Sequence, residues 1–210
     1  DSHSLPPTRG RHAVTPAREI TADIALIGGG HAHVEVLRHF AMQPLDGTRL
    51  TLVARDVLTP YSGMLPGYLA GLYRHDEAHV DLRPLAARAG ARLIHAEACG
   101  LDPVARRVLL PGRPPLAFDI ASLDIGSTPA TFDIAGAGHA LAVKPVDRFL
   151  EQWDVAEQRA LTGRGAFRVV VIGGGAGGVE VCLGLLHRLQ LRLAAACGDP
   201  SRLAFSLVTD

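Results

Sequence analysis

Two glycine-rich runs are the parts of this chain best suited to chemistry. The first is Asp23-Ile24-Ala25-Leu26-Ile27-Gly28-Gly29-Gly30-His31-Ala32-His33. The second is Arg168-Val169-Val170-Val171-Ile172-Gly173-Gly174-Gly175-Ala176-Gly177-Gly178-Val179-Glu180. Each reads as a short β-branched strand, a tight turn and a helix start. A dinucleotide pyrophosphate needs that geometry: one glycine makes the turn, a second lets the backbone approach the phosphates, and the helix N-terminus faces the negative charge. The expected contacts are Gly28, Gly30, His31 and Ala32 in the first run, and Gly173, Gly175, Ala176 and Gly178 in the second. Two such turns imply two dinucleotides, and hydride or electron transfer between them.

The elements that must hold these turns are readable in outline. Residues 23–27 read as a strand and His31–Met42 as a helix with Val34, Leu37 and Phe40 toward a sheet. Leu50–Val53 is a second strand. Leu58–Gly71 is a loop turning into a helix. Asp81 is an N-cap for a helix through Arg88, closed by Gly90. Ala91–Gly100 and Arg106–Leu110 read as antiparallel strands joined by Asp102-Pro103-Val104-Ala105, and Ala117–Ile125 as a further strand. A helix spans 145–161. The second unit then has a strand 168–172, a helix 176–194 and a strand Leu203–Val208. The order is that of an α/β fold. Because the second unit ends just after its second strand, it reads as incomplete.

Composition excludes several classes. Among 210 residues there are 21 basic and 21 acidic side chains, and aromatics are 5%. Neither a nucleic-acid partner nor a strongly basic membrane surface is supported. Cys99, Cys182 and Cys197 form no CxxC pair, which argues against a disulfide framework and a redox-active dithiol and suits a reducing compartment. They read as buried or idle thiols. The most apolar stretch, Phe167–Leu186, carries Arg168, Glu180 and several glycines and reads as strand plus helix rather than a membrane span. Residues 1–22 lack an apolar signal-peptide core and read as a disordered leader.

The glycine turns, the Pro-rich run Thr59-Pro60-Tyr61-Ser62-Gly63-Met64-Leu65-Pro66-Gly67 and the segment Leu123-Asp124-Ile125-Gly126-Ser127-Thr128-Pro129 together resemble the pyridine nucleotide-disulfide oxidoreductase superfamily. The resemblance covers residues 22–210. It implies two Rossmann-like domains: an FAD-binding domain whose first segment is 23–145, and the start of an inserted NAD(P)H-binding domain at 146–210. Leu123–Pro129 is similar to the family's Ala-Thr-Gly segment near the flavin, with Asp124 and Ile125 in place of Ala and Thr. This places Gly126 and Ser127 near the cofactor. Pro60, Tyr61, Ser62, Gly63, Met64 and Leu65 are implied to line the flavin. Lacking the dithiol, the chain resembles the type II NADH dehydrogenase branch. It looks closest to the flavoprotein module fused to selenide, water dikinase, which implies a downstream kinase domain. Glu180 follows the second fingerprint as in many family members. Asp210 would bond the ribose hydroxyls of NADH and disfavour NADPH.

There are departures from the family pattern. His33 replaces the third glycine of the first fingerprint, where a bulky side chain would push helix and strand apart or shift the helix start. Where a ribose carboxylate is expected, Arg55 stands beside Asp56; Asp56 substitutes for it, or Arg55 covers the adenine or phosphates. His31 and His33 lack further ligands for a metal. His75-Asp76-Glu77-Ala78-His79 is not a zinc-protease motif and reads as a solvated edge. Lys144 faces a phosphate or carboxylate, or solvent. The implied activity is FAD-dependent NAD(P)H oxidation, with electrons passed to a quinone or another small acceptor, a sulfur or selenium species included. No residue is assigned as a general acid or base. The alternative is a partial dinucleotide-binding module without turnover. The expected location is cytoplasmic, with peripheral membrane contact through regions outside this chain.

Overall fold

The computed structural model describes residues 19–129 and 134–209. The expectations for the leader up to residue 18 and for Asp210 lie outside the described residues. The elements are β1 (Ala22–Ile27), α1 (His31–Met42), β2 (Thr48–Ala54), β3 (Leu58–Pro60), α2 (Leu65–Leu69), α3 (His75–Ala78), β4 (His79–Asp81), α4 (Leu82–Arg88), β5 (Arg92–His95), β6 (Gly100–Asp102), β7 (Arg107–Leu109), β8 (Leu116–Ala117), β9 (Ile120–Leu123), α5 (Val146–Thr162), β10 (Phe167–Ile172), α6 (Ala176–Ala195) and β11 (Leu203–Val208).

A strand turns alternate side chains to opposite faces, so one buried on both faces must be apolar throughout. The second half of β1, Ala25–Ile27, obeys this in a four-stranded parallel sheet of order β5-β2-β1-β9. Leu26 packs with Leu37, Leu52 and Leu82 under α1 and α4. Ala25 and Ile27 face the other way, onto Val108 and Leu110 of an antiparallel layer of β6, β7 and β8. Helix α4 starts where expected: Asp81 accepts the Arg83 N–H at 2.9 Å, and Gly90 follows the helix end with φ +63.

The second unit pairs β10 with β11 in parallel, Phe167 opposite Leu203 through Ile172 opposite Val208. Phe167, Val169, Leu203 and Phe205 pack against α5 and α6. On the opposite face Val170, Ile172 and Val208 are exposed. Helix α6 buries Val181, Leu185, Leu189 and Leu193 along one stripe. Within the same core Glu157 is 2% exposed and takes a bidentate bond from Arg188, at 2.5 Å from Nε and 2.9 Å from Nη2.

The two units are packed together by α2 and α6. Leu65 and Leu69 enter the core formed by Val181, Leu185 and Phe149. A Cβ on Gly184 would lie 2.7 Å from the Pro66 carbonyl oxygen, so a glycine is what lets the two helices meet.

Two strand expectations are corrected. The stretch 91–100 is not one strand: β5 pairs in parallel with β2, and the chain then turns before β6 pairs with β7. Likewise 117–125 divides into β8, antiparallel to β7, and β9, parallel to β1. The Asp102 turn is as expected, with Asp102 Oδ1 accepting the Val104 and Ala105 N–H groups. Cys99 and Cys197 are exposed, not buried.

Candidate functional site

The two glycine turns have the same local build. Gly28 has φ +96 and Gly173 φ +114, a region open to glycine and strained for other residues. The Gly28 N–H donates to Val53 O of β2, and the Gly173 N–H to Val208 O of β11, both at 2.8 Å. Gly30 and Gly175 are the N-caps of α1 and α6, both extended. Arg55 follows Val53 by two residues, as Asp210 follows Val208. By this offset alone, Arg55 in the first unit and Asp210 in the second fall where a ribose partner is expected.

At the third fingerprint position the units differ. A Cβ on Gly178 would lie 1.9 Å from the Gly173 carbonyl oxygen. His33 stands at the same offset from Gly28 and does not force β1 and α1 apart. It is 1% exposed, donates Nδ1–H to the Gly28 carbonyl at 2.8 Å, and places Nε2 2.9 Å from Ser122 Oγ on β9. The imidazole ties α1, the turn and β9 together, where glycine would offer only close packing.

Asp124, a departure from the family pattern in sequence, completes the first turn. Its carbonyl accepts the Gly30 N–H at 3.2 Å and its carboxylate the His33 N–H at 3.1 Å. The N–H groups of His31 and Ala32 have no partner among the described residues. These two donors and the positive-φ Gly28 turn fit a diphosphate.

The Pro-rich segment reaches the same place. Tyr61 lies edge-on to His31, ring centroids 4.2 Å apart. Beside them is a cleft of about 240 Å³ bounded by His31, Val34, Glu35, Thr59, Pro60, Tyr61 and Val80. Ser62, Gly63 and Met64 form a 3-10 turn, held by the Met64 N–H on Tyr61 O. Leu65 instead turns into the core. Gly126 has φ +79, and Ser127 accepts a bond from Lys144 Nζ at 3.2 Å. Arg55 donates Nε–H to Asp56 at 2.7 Å, and that bond raises its already high pKa. Ala176 opens α6, and Glu180 is exposed one turn later.

Under Tyr61 lies a histidine that the sequence reading placed at a solvated edge. The His79 side chain is 3% exposed and stacks on His75, centroids 3.8 Å apart. Its Nδ1–H donates to the His75 carbonyl at 2.8 Å. Its Nε2 has no hydrogen-bond partner and lies 3.6 Å from Asp147 Oδ1. The i, i+4 spacing of His75 and His79 was the only signal available in the sequence. Among the described residues no group of three or more His, Cys, Asp or Glu could hold a metal ion, and no helix is long and apolar enough to cross a membrane.

Known structures share this fold. NDH2 from Plasmodium falciparum, solved in complex with NADH, superposes with a TM-score of 0.69 at 18% identity, over 89% of this chain and 41% of that one. The sulfide:quinone oxidoreductase of Aquifex aeolicus gives 0.64 at 17% identity, over 89% and 43%. NADH:rubredoxin oxidoreductase from Clostridium acetobutylicum gives 0.62 at 16% identity, over 90% and 58%. The chain thus spans about half the length of these structures. No curated protein matches it. The family model for pyridine nucleotide-disulphide oxidoreductases matches residues 22–194, from the first strand to the last turns of α6, and the chain belongs to that family.

Proposed function

We propose that the chain is the dinucleotide-binding part of an FAD-dependent NAD(P)H oxidoreductase, with FAD on the first turn and NAD(P)H, NADH in preference, on the second. The observation that carries this reading is the pairing of two turns of like geometry, Gly28 and Gly173, in units packed together through α2 and α6. Flavin and nicotinamide would supply the two-electron chemistry, and the protein positioning and electrostatics.

In this reading the N–H groups of His31 and Ala32 hold the FAD diphosphate, and Tyr61 walls the cleft beside them. Ser127, Gly126 and Lys144 stand at the passage between the units. In the same reading the N-terminus of α6 receives the second diphosphate, and the Asp210 carboxylate accepts from the ribose hydroxyls and repels a 2′-phosphate. Electrons leave to a small acceptor; a quinone is the first candidate, on the likeness to NDH2 and to sulfide:quinone oxidoreductase, and a sulfur or selenium species the second.

The test is the visible spectrum of the purified chain with added FAD, followed by anaerobic NADH. Flavin bands that bleach with NADH support the reading. A chain that takes up no FAD refutes it. A second reading is a binding module without turnover of its own. Flavin bands that NADH leaves unbleached would select this second reading.

A further inference from the structure

The two turns share their backbone but differ in what stands beside the N-cap glycine. A Cβ on Gly30 would lie 2.2 Å from Asp124 Oδ1 and 2.4 Å from Oδ2, whereas at Gly175 no atom of the described residues lies within 4 Å. The Asp124 carboxylate therefore sits against the first turn of α1 and accepts the His33 N–H. Its backbone is pinned on both sides, by its N–H on Ile27 O at 2.8 Å and its carbonyl under Gly30 N–H. No Lys, Arg or His side chain forms an ion pair with it among the described residues. Its charge is thus met by the helix N-terminus alone, as a bound anion's would be.

We propose that Asp124 is a built-in counter-anion of the first dinucleotide site. It holds one of the donors of α1, keeps the helix start formed without cofactor, and repels the incoming diphosphate. The first cofactor is then held more weakly than the turn alone would hold it, and exchanges. This inference rests on the FAD reading and assigns the residue that sets the affinity of that site.

Asp124→Asn tests it. An amide oxygen still accepts the His33 N–H, so the cap survives while the charge is lost. Asp124→Ser, a second neutral capping residue, serves if the first variant folds poorly. FAD is titrated by flavin fluorescence at low and at high salt. The neutral variants should bind FAD about tenfold more tightly at low ionic strength, and the gap should close near about 0.5 M salt, where the repulsion is screened. Tighter binding by the variants than by the native chain at low salt supports the proposal. A purely structural cap would instead give weaker binding at every salt concentration, which overturns it. If the native chain binds FAD and the neutral variants bind no more tightly, the inference falls and the FAD reading stands. If neither binds FAD, both fall.

Discussion

His33 and Gly178 stand five residues after Gly28 and Gly173, and each is matched to that glycine's carbonyl oxygen in a different way. His33 reaches it with an imidazole N–H at 2.8 Å; Gly178 leaves no room for a Cβ, which would fall 1.9 Å from it. The same strand-to-helix junction is therefore made once by a hydrogen bond and once by close packing. Substitutions at the two positions should fail for different reasons.

His33→Ala removes a buried ring and leaves the Gly28 carbonyl and the Ser122 hydroxyl without it. The expected cost is about 2–4 kcal/mol in denaturant unfolding. His33→Gly should not rescue the loss, because the space is built for a ring. A His33→Gly variant as stable as the native chain would refute the bridging role.

Gly178→Ala acts by displacement. The start of α6 must move off the Gly173 carbonyl, so NADH binding should fall by at least about tenfold while FAD uptake at the first turn persists. Parallel titrations with the two nucleotides measure this directly. Equal weakening of both would mean general unfolding instead.

The Glu157–Arg188 pair should be expensive to break on one side only. Glu157→Ala leaves a partly buried guanidinium without its bidentate partner, and a loss of about 3 kcal/mol is expected. Glu157→Leu combined with Arg188→Leu should recover most of it, since no charge is then stranded. Additive losses in the double variant would show that the pair is not coupled.

Acid should weaken the pair that ties β1 to β2. Arg49, hydrogen-bonded to Asp23, holds that carboxyl below its ordinary value of 3.8. A depressed folded pKa gives a contribution present above the ordinary carboxylate range and lost as pH falls through the lowered value. Asp23→Asn should therefore cost about 0.5 kcal/mol at neutral pH, little because Arg49 is half-exposed. The difference should shrink as pH falls through that lowered value and vanish once the folded-state carboxyl is protonated. Melting curves of both proteins across that range decide it; a difference that persists at low pH would place the effect in packing.

Elements with long local signals are legible in the sequence. Helix α1 has the expected bounds, α4 its Asp81 cap, and β11 both its ends. The divisions of 91–100 and 117–125 are not, because strands of two to four residues carry no period of their own. Only the sheet they join tells β5 from β6 or β8 from β9. In the candidate site, the glycines are visible because the backbone demands them. His33 read as an obstacle because a rule about glycine size says nothing of a ring that can donate to the carbonyl it meets. Asp124 read as a deviation because its neighbour, Gly30, is far away in sequence. His79 lies on a short helix-to-strand step whose burial depends on α2 and α5, elements that local pattern cannot place against it.

The meeting of Gly184 with Pro66 bears on how such proteins can be re-engineered. The helix that begins at the second nucleotide turn is seated, halfway along, on the short helix that follows Tyr61. The second unit is therefore not a portable cassette. A nucleotide module grafted from another protein would need a small residue facing Pro66, apolar partners for Leu65 and Leu69 and, where α5 is kept, a cation for the buried Glu157. Single substitutions at the second glycine turn leave that seam intact.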